Sequence, residues 1–151
     1  WRHADELAGR RVIELGCGLG LPSILAAKLG AQVLATDFHP ETGKWFLHNA
    51  GLNQVEAIYM TLDWNALLSS EQGPRHHPAP LVIGSDLVYE RRHIPALVCA
   101  IDALCAPGGE AIISDPGRDN LDLFVAGMER SGWRHTLEPV GDIYVCRFAR
   151  A

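Results

Sequence analysis

No run of positive charge in the sequence is longer than the pair Arg91 and Arg92. A surface that tracks a phosphate backbone needs clustered Lys and Arg. The formal net charge is −5, so no nucleic acid partner is expected. No apolar stretch reaches the ~18 residues of a membrane span, and no signal-peptide pattern opens the chain. No membrane partner is expected either. The four cysteines, Cys17, Cys99, Cys105 and Cys146, form no C-x-x-C pair and no zinc-like spacing. They read as reduced thiols of a cytoplasmic protein, with no metal site. P-loop, G-x-S-x-G and H-E-x-x-H sequences are missing, which removes their phosphate, serine and zinc chemistries.

What is present fits one core. Apolar residues make up 48% of 151 residues, enough to pack a domain without disulfide or metal support. A single domain over 1–151 is expected. The chain opens on Trp1 and enters its first strand almost at once, so an upstream segment is expected as well. There are no internal repeats. The one loop-like, low-complexity stretch is 71–80, which holds His76 and His77 as solvated side chains.

Elsewhere short apolar runs alternate with helical patterns. Strands are expected over 11–15, 32–36, 56–62, 81–85 and 110–114. The fourth is almost wholly apolar, as a strand buried on both faces should be. Pro22 opens a first helix that stops near Gly30. Pro40 opens a second, which turns Trp45, Phe46 and Ala50 to the core and ends near Gly51. Ile94, Leu97, Val98, Ile101 and Leu104 share one helical face, and Pro107-Gly108-Gly109 breaks that helix. A last helix over 120–130 leads to two strands, 133–140 and 142–148, separated by Gly141 as a hairpin. The expected fold is α/β: a Rossmann-like three-layer sandwich around a seven-stranded, mostly parallel sheet with a C-terminal antiparallel hairpin.

In such sheets ligands bind at the carboxyl ends of the strands, where strand order reverses. The residues there carry the chemistry. Gly16, Gly18 and Gly20 follow strand one, and glycines let a backbone approach a ligand closely. A G-x-G-x-x-G loop needs its third glycine at 21, where Leu21 stands, which disfavours a dinucleotide pyrophosphate. Without a ligand, the same residues are a tight strand-to-helix turn. Asp37 ends strand two, placed to accept hydrogen bonds from ribose hydroxyls or to cap the next helix. Asp63 and Trp64 end strand three. They suit an adenine amino group and ring, or a cap and a core aromatic. Asp86-Leu87-Val88-Tyr89 follows Ser85 at the end of strand four. Its carboxylate and phenol can hold an incoming amine, or they are a cap and a half-buried tyrosine. Asp115 and Arg118, after strand five, either shape a substrate mouth or form an internal ion pair. His93 lies one helical turn beyond Tyr89 and could face the site, but it reads first as a surface histidine.

Val12-Ile13-Glu14-Leu15-Gly16-Cys17-Gly18-Leu19-Gly20 resembles the first motif of class I, seven-β-strand methyltransferases. Asp86-Leu87-Val88-Tyr89 resembles the D-x-x-Y motif of their protein-lysine methyltransferase branch. Asp115-Pro116-Gly117-Arg118 resembles a stretch of the flavoprotein-modifying members. Gly18–Ser23 and Leu62-Asp63-Trp64 resemble bacterial relatives often labelled predicted nicotinamide N-methylases. The resemblance implies S-adenosylmethionine as cofactor. Glu14, Gly16, Gly18 and Gly20 would form its loop, with Gly16 and Gly18 on the methionine part and Asp37 on the ribose. Asp63 and Trp64 would hold the adenine, and Ser85 would line the pocket. Asp86 and Tyr89 would be the catalytic pair facing the acceptor, with Asp115 and Arg118 near the substrate. The family also has a W-P segment upstream of the first strand, and Trp1 is too close to Val12 to be that tryptophan. The implied activity is methyl transfer to nitrogen, on a protein lysine. The alternatives are a small amine or nicotinamide-like acceptor, a catalytically silent cofactor-binding domain, and a nicotinamide-dinucleotide oxidoreductase. Leu21 disfavours the last, as does the want of a lysine four residues after Tyr89.

Overall fold

The computed structural model describes residues 6–69 and 78–150. Trp1, His76, His77 and most of the 71–80 loop lie outside these residues. Seven strands form one sheet in the order β3-β2-β1-β4-β5-β7-β6. They are β1 (Arg11–Leu15), β2 (Gln32–Asp37), β3 (Ile58–Thr61), β4 (Ala79–Ser85), β5 (Cys105–Asp115), β6 (Trp133–Val140) and β7 (Ile143–Arg150). The first five are parallel, and β7 runs antiparallel to both β5 and β6. Strand order reverses between β1 and β4, which pair with Leu15 opposite Gly84.

The central strands are apolar on both faces because helices cover both. Ile13, Leu15, Val82 and Ile113 pack on one side; Val12, Leu81, Ile83 and Ile112 pack on the other. This is the period-2 alternation of a strand. On the first side lie α4 (Ile94–Leu104) and α5 (Asn120–Arg130). Buried Leu97, Ile101 and Leu104 of α4 and Leu121, Phe124 and Met128 of α5 join the core there. Each such side chain contributes roughly 1.5–3 kcal/mol on leaving water. On the second side α1 (Leu21–Lys28) adds Ala26, and α2 (Thr42–Leu52) buries Phe46 and Ala50 against Ala35.

The structure corrects several expected elements. Trp45 does not face the core; it is 61% exposed. Phe46 and Ala50, four apart, take the buried stripe, and Trp45 lies about 100° around the helix from Phe46. The helix α2 starts at Thr42, after a turn in which Gly43 N donates to Pro40 O. The third strand is shorter than expected. A six-residue helix α3 (Trp64–Ser69) follows it, where no helix is expected from the pattern. Pro107-Gly108-Gly109 lies within β5, which starts at Cys105 beside a register shift against β4 between Ala79 and Leu81. The hairpin turn holds Asp142 with Gly141. All four cysteines are free. Among the described residues, no helix is long and apolar enough to cross a membrane.

Candidate active site

The loop after β1 is shaped by glycines that other side chains crowd. Gly16 has φ 59°, and a Cβ there would lie 2.5 Å from Leu87 Cδ2. Gly20 has φ 83°, and a Cβ there would land in the Phe46 ring. Positive φ is costly for side-chain-bearing residues, so each position is closed to them twice over. Cys17 N donates to Thr36 O (2.9 Å), and Gly18 N donates to Asp37 Oδ2 (3.0 Å). The β2 end therefore holds the loop in place. Asp37 Oδ1 also accepts from His39 N (3.0 Å) and the Thr42 hydroxyl (3.4 Å).

Glu14 lies beneath this loop and is 1% exposed. Its Oε2 accepts from Ser23 N at 3.1 Å, steadying the first turn of α1. Burial pushes its carboxyl up to about 7, against the hydrogen bonds from Ser23, and the Asp37 charge adds to the rise. Burial likewise pushes the Cys17 thiol up to about 12, so Cys17 is no thiolate nucleophile.

At the strand-order reversal a cavity of about 790 Å³ opens between this loop and the one that follows β4. Gly16, Asp37, Asp63, Trp64, Ser85, Asp86 and Tyr89 line it, and so do Phe38, Asn65, Leu87, Arg92 and His93. Glu14, Gly18, Gly20, Asp115 and Arg118 are not among its walls; Gly18 and Arg118 bond the wall residues Asp37 and Asp86, and Asp115 holds Arg118. A second cavity of about 660 Å³ lies at the opposite ends of β1 and β2. Its lining of Val12, Ile13, Val33 and Leu34 with Arg11 and Glu56 lacks the convergent polar groups of a ligand site.

Asp63 Oδ1 accepts from Asn65 N (2.8 Å) and Nδ2 (3.0 Å), capping α3. The indole of Trp64 has a buried Nε1 without a hydrogen-bond partner. The Ser85 hydroxyl accepts from Ser114 Oγ at 3.0 Å.

Asp86 is left-handed, with φ 64°. Its N–H donates to Ser114 O (2.8 Å), and its carboxylate pairs with the Arg118 guanidinium. Arg118 Nη1 also meets Asp115 Oδ2 at 3.0 Å. Asp115 and Arg118 thus form an internal ion pair that extends to the cavity wall. The hydrogen bond to Asp86 raises the already high Arg118 pKa. Tyr89 is 56% exposed and meets His93 edge-on, with centroids 6.4 Å apart. His93, first read as a surface histidine, lines the cavity beside Tyr89, with its side chain 30% exposed. Phe38, Asn65 and Arg92 were not legible as site residues. The one sequence signal they carry is nearness: Phe38 follows Asp37, Asn65 follows Trp64, and Arg92 lies three residues beyond Tyr89.

A doubly wound sheet with a glycine loop and an acidic strand end across its reversal point defines a nucleotide-type cofactor fold. The matching family model, described as lysine methyltransferase, covers residues 2–129, and the chain belongs to that family. It is 33% identical over 144 residues to the protein-lysine N-methyltransferase EFM3 of Chaetomium thermophilum, covering 85% of this chain and 42% of that protein. It is 30% identical over 104 residues to the histone-arginine methyltransferase METTL23 of Xenopus laevis, covering 67% and 44%. The chain thus spans less than half the length of these two relatives. The structure superimposes on the 16S rRNA N2 G1207 methyltransferase RsmC of T. thermophilus with a TM-score of 0.79 at 17% identity, covering 98% of this chain and 39% of that one. That likeness is one of fold.

Proposed function

We propose that this chain is an S-adenosylmethionine-dependent N-methyltransferase acting on a lysine side chain of a protein. The observation that carries the reading is the cavity between the glycine loop and Asp86, in a chain of the lysine methyltransferase family. Its walls fit the cofactor. Gly16 presents backbone to the cavity, Asp37 and Asp63 offer carboxylates to hydroxyl and amino groups, and the unpartnered Trp64 Nε1 offers a buried donor. Gly16 and Gly18 would hold the methionine part, Asp37 the ribose, and Asp63 with Trp64 the adenine, with Ser85 alongside. Glu14 and Gly20 serve by shaping the loop.

When bound, the cofactor would supply an electrophilic sulfonium methyl group for transfer to the acceptor nitrogen. What the chain's residues must do is bring in a neutral amine and hold it in line. An ordinary lysine amine has a pKa near ~10.4, and partial desolvation between Leu87 and Tyr89 lowers it. Asp86 orients the amine, Tyr89 walls its path, and positioning supplies much of the rate. A carboxylate beside an aromatic ring attracts an ammonium group. The net charge of −5 disfavours a nucleic acid acceptor.

Two measurements test this. Calorimetry should show S-adenosylhomocysteine binding where NAD does not; tighter NAD binding overturns the class. Labelled cofactor incubated with lysate should mark a fraction that protease removes and nuclease spares. Loss of label to nuclease refutes the protein acceptor, and label in a protease-insensitive small-molecule fraction favours a small amine.

A further inference from the structure

The Asp115 side chain is wholly buried, with 0% of it exposed. A buried carboxylate needs partners. Asp115 has three donors: Gly117 N and Arg118 N at Oδ1, both 2.9 Å, and Arg118 Nη1 at Oδ2, 3.0 Å. These contacts aim the guanidinium, whose other terminal nitrogen reaches Asp86 Oδ1. A planar fork can join two carboxylates in this way, and a lysine ammonium cannot do so with the same rigidity. Asp86 itself is held in a left-handed backbone with its side chain 63% exposed at the cavity.

We infer that Arg118 is a positioning residue that sets the charge of the acceptor site: it pins Asp86 to the cavity wall and keeps its carboxylate from locking the acceptor in the ammonium form. The inference rests on the amine-acceptor reading above. The guanidinium lies directly against Asp86, so the carboxylate that meets the cavity is a paired one, while the Asp115 charge is buried behind it. A bare carboxylate would stabilise an incoming ammonium and raise its pKa, yet an ammonium has no lone pair to receive a methyl. Arg118 offsets that effect while leaving Asp86 Oδ2 to face the amine. The other charged or titratable groups around the cavity are Asp37, Asp63, Tyr89, Arg92 and His93. Arg92 is paired with Glu90, and among the described residues no other cation pairs with Asp86.

The test compares Arg118→Gln, Arg118→Lys and the double variant Asp115→Asn/Arg118→Gln. The double variant removes the buried charge that Arg118→Gln alone would strand. Two readouts are used: the pH profile of label transfer to the protease-sensitive lysate fraction, and n-butylammonium binding at neutral pH by NMR titration. In the Gln variants the acid limb of the profile should move up by about one pH unit, and n-butylammonium should bind roughly threefold more tightly. Arg118→Lys should restore most of the wild-type limb. Equal falls in rate in all variants with an unmoved limb make Arg118 a loop brace and overturn the inference. So does unchanged or weaker n-butylammonium binding in the folded Gln variants. A wild-type protein that labels no protease-sensitive acceptor refutes the functional reading alone, because the n-butylammonium comparison still judges the clamp.

Discussion

The two loops that face each other across the cavity are built in opposite ways. The loop after β1 bends where glycines allow it and is held from behind by its neighbours: Phe46 at Gly20, Asp37 at Gly18, Glu14 at Ser23. The loop after β4 bends at Asp86, an aspartate in a left-handed conformation. Such a residue costs of order 1–3 kcal/mol and persists only when its surroundings over-determine it. Here Ser114, Arg118 and the buried Leu87 do so. One loop offers backbone and shape; the other offers a charge that must be held against its own preference.

Leu87 is where the two meet, so its loss should blur the contrast most. It is 5% exposed and its methyls fill the space left open by Gly16 and Gly84. Leu87→Ala should lower the unfolding free energy by about 2–5 kcal/mol, read as a urea midpoint shift. A shift below ~1 kcal/mol would mean that the loops are not joined there.

Asp86→Ala should separate the loops' roles. Turnover of the protein acceptor should fall by roughly 10- to 150-fold, the ~1.5–3 kcal/mol of a hydrogen bond to a charged group. Affinity for S-adenosylhomocysteine should stay within about threefold. If cofactor affinity falls in step with turnover, the acidic loop also serves the cofactor.

The smallest effect at any single step of pH concerns Glu14, the buried group under the glycine loop. Its carboxyl, raised from 4.5 to about 7 by burial, holds its proton more tightly in the folded chain than in the unfolded one. Its contribution to stability is therefore fully present below pH 4.5 and is lost as pH rises through about 7. The loss is at most ~1.4 kcal/mol per pH unit between those limits. Glu14→Gln, which keeps a neutral side chain, should flatten that part of the stability curve in urea titrations at pH 5, 6, 7 and 8. A variant curve parallel to that of the wild type would show that Glu14 is not the titrating group.

Much of the fold is legible in the sequence because its signals are local. The glycines at 16, 18 and 20, the apolar β4 and the repeating stripe of α4 each lie within a short window. The misses arise where the deciding contact is distant or the window too short. The helix α3 has six residues, less than two turns, and no periodicity can show over that length. Trp45 and Phe46 are adjacent bulky residues, and Tyr59, packing on Phe46 from β3, favours the second. In the site, the strand-end acids lie where the alternating pattern puts them. The pairing of Asp86 with Arg118 spans 32 positions, and no spacing rule connects them.

The antiparallel β7 carries a further consequence, one of timing. β6 precedes β7 in the chain, yet it reaches the sheet only through it, since β7 lies between β5 and β6. During synthesis, β1 to β5 can pair in the order they emerge, while β6 waits as an unpaired ribbon. Until Cys146 and Phe148 arrive to fill the core beside Phe124, the flank of β5 stays open to other chains, as an unpaired strand edge does. The half that bears the cavity can therefore come together first, and the flank of β5 is covered only when β7 pairs with it and captures β6.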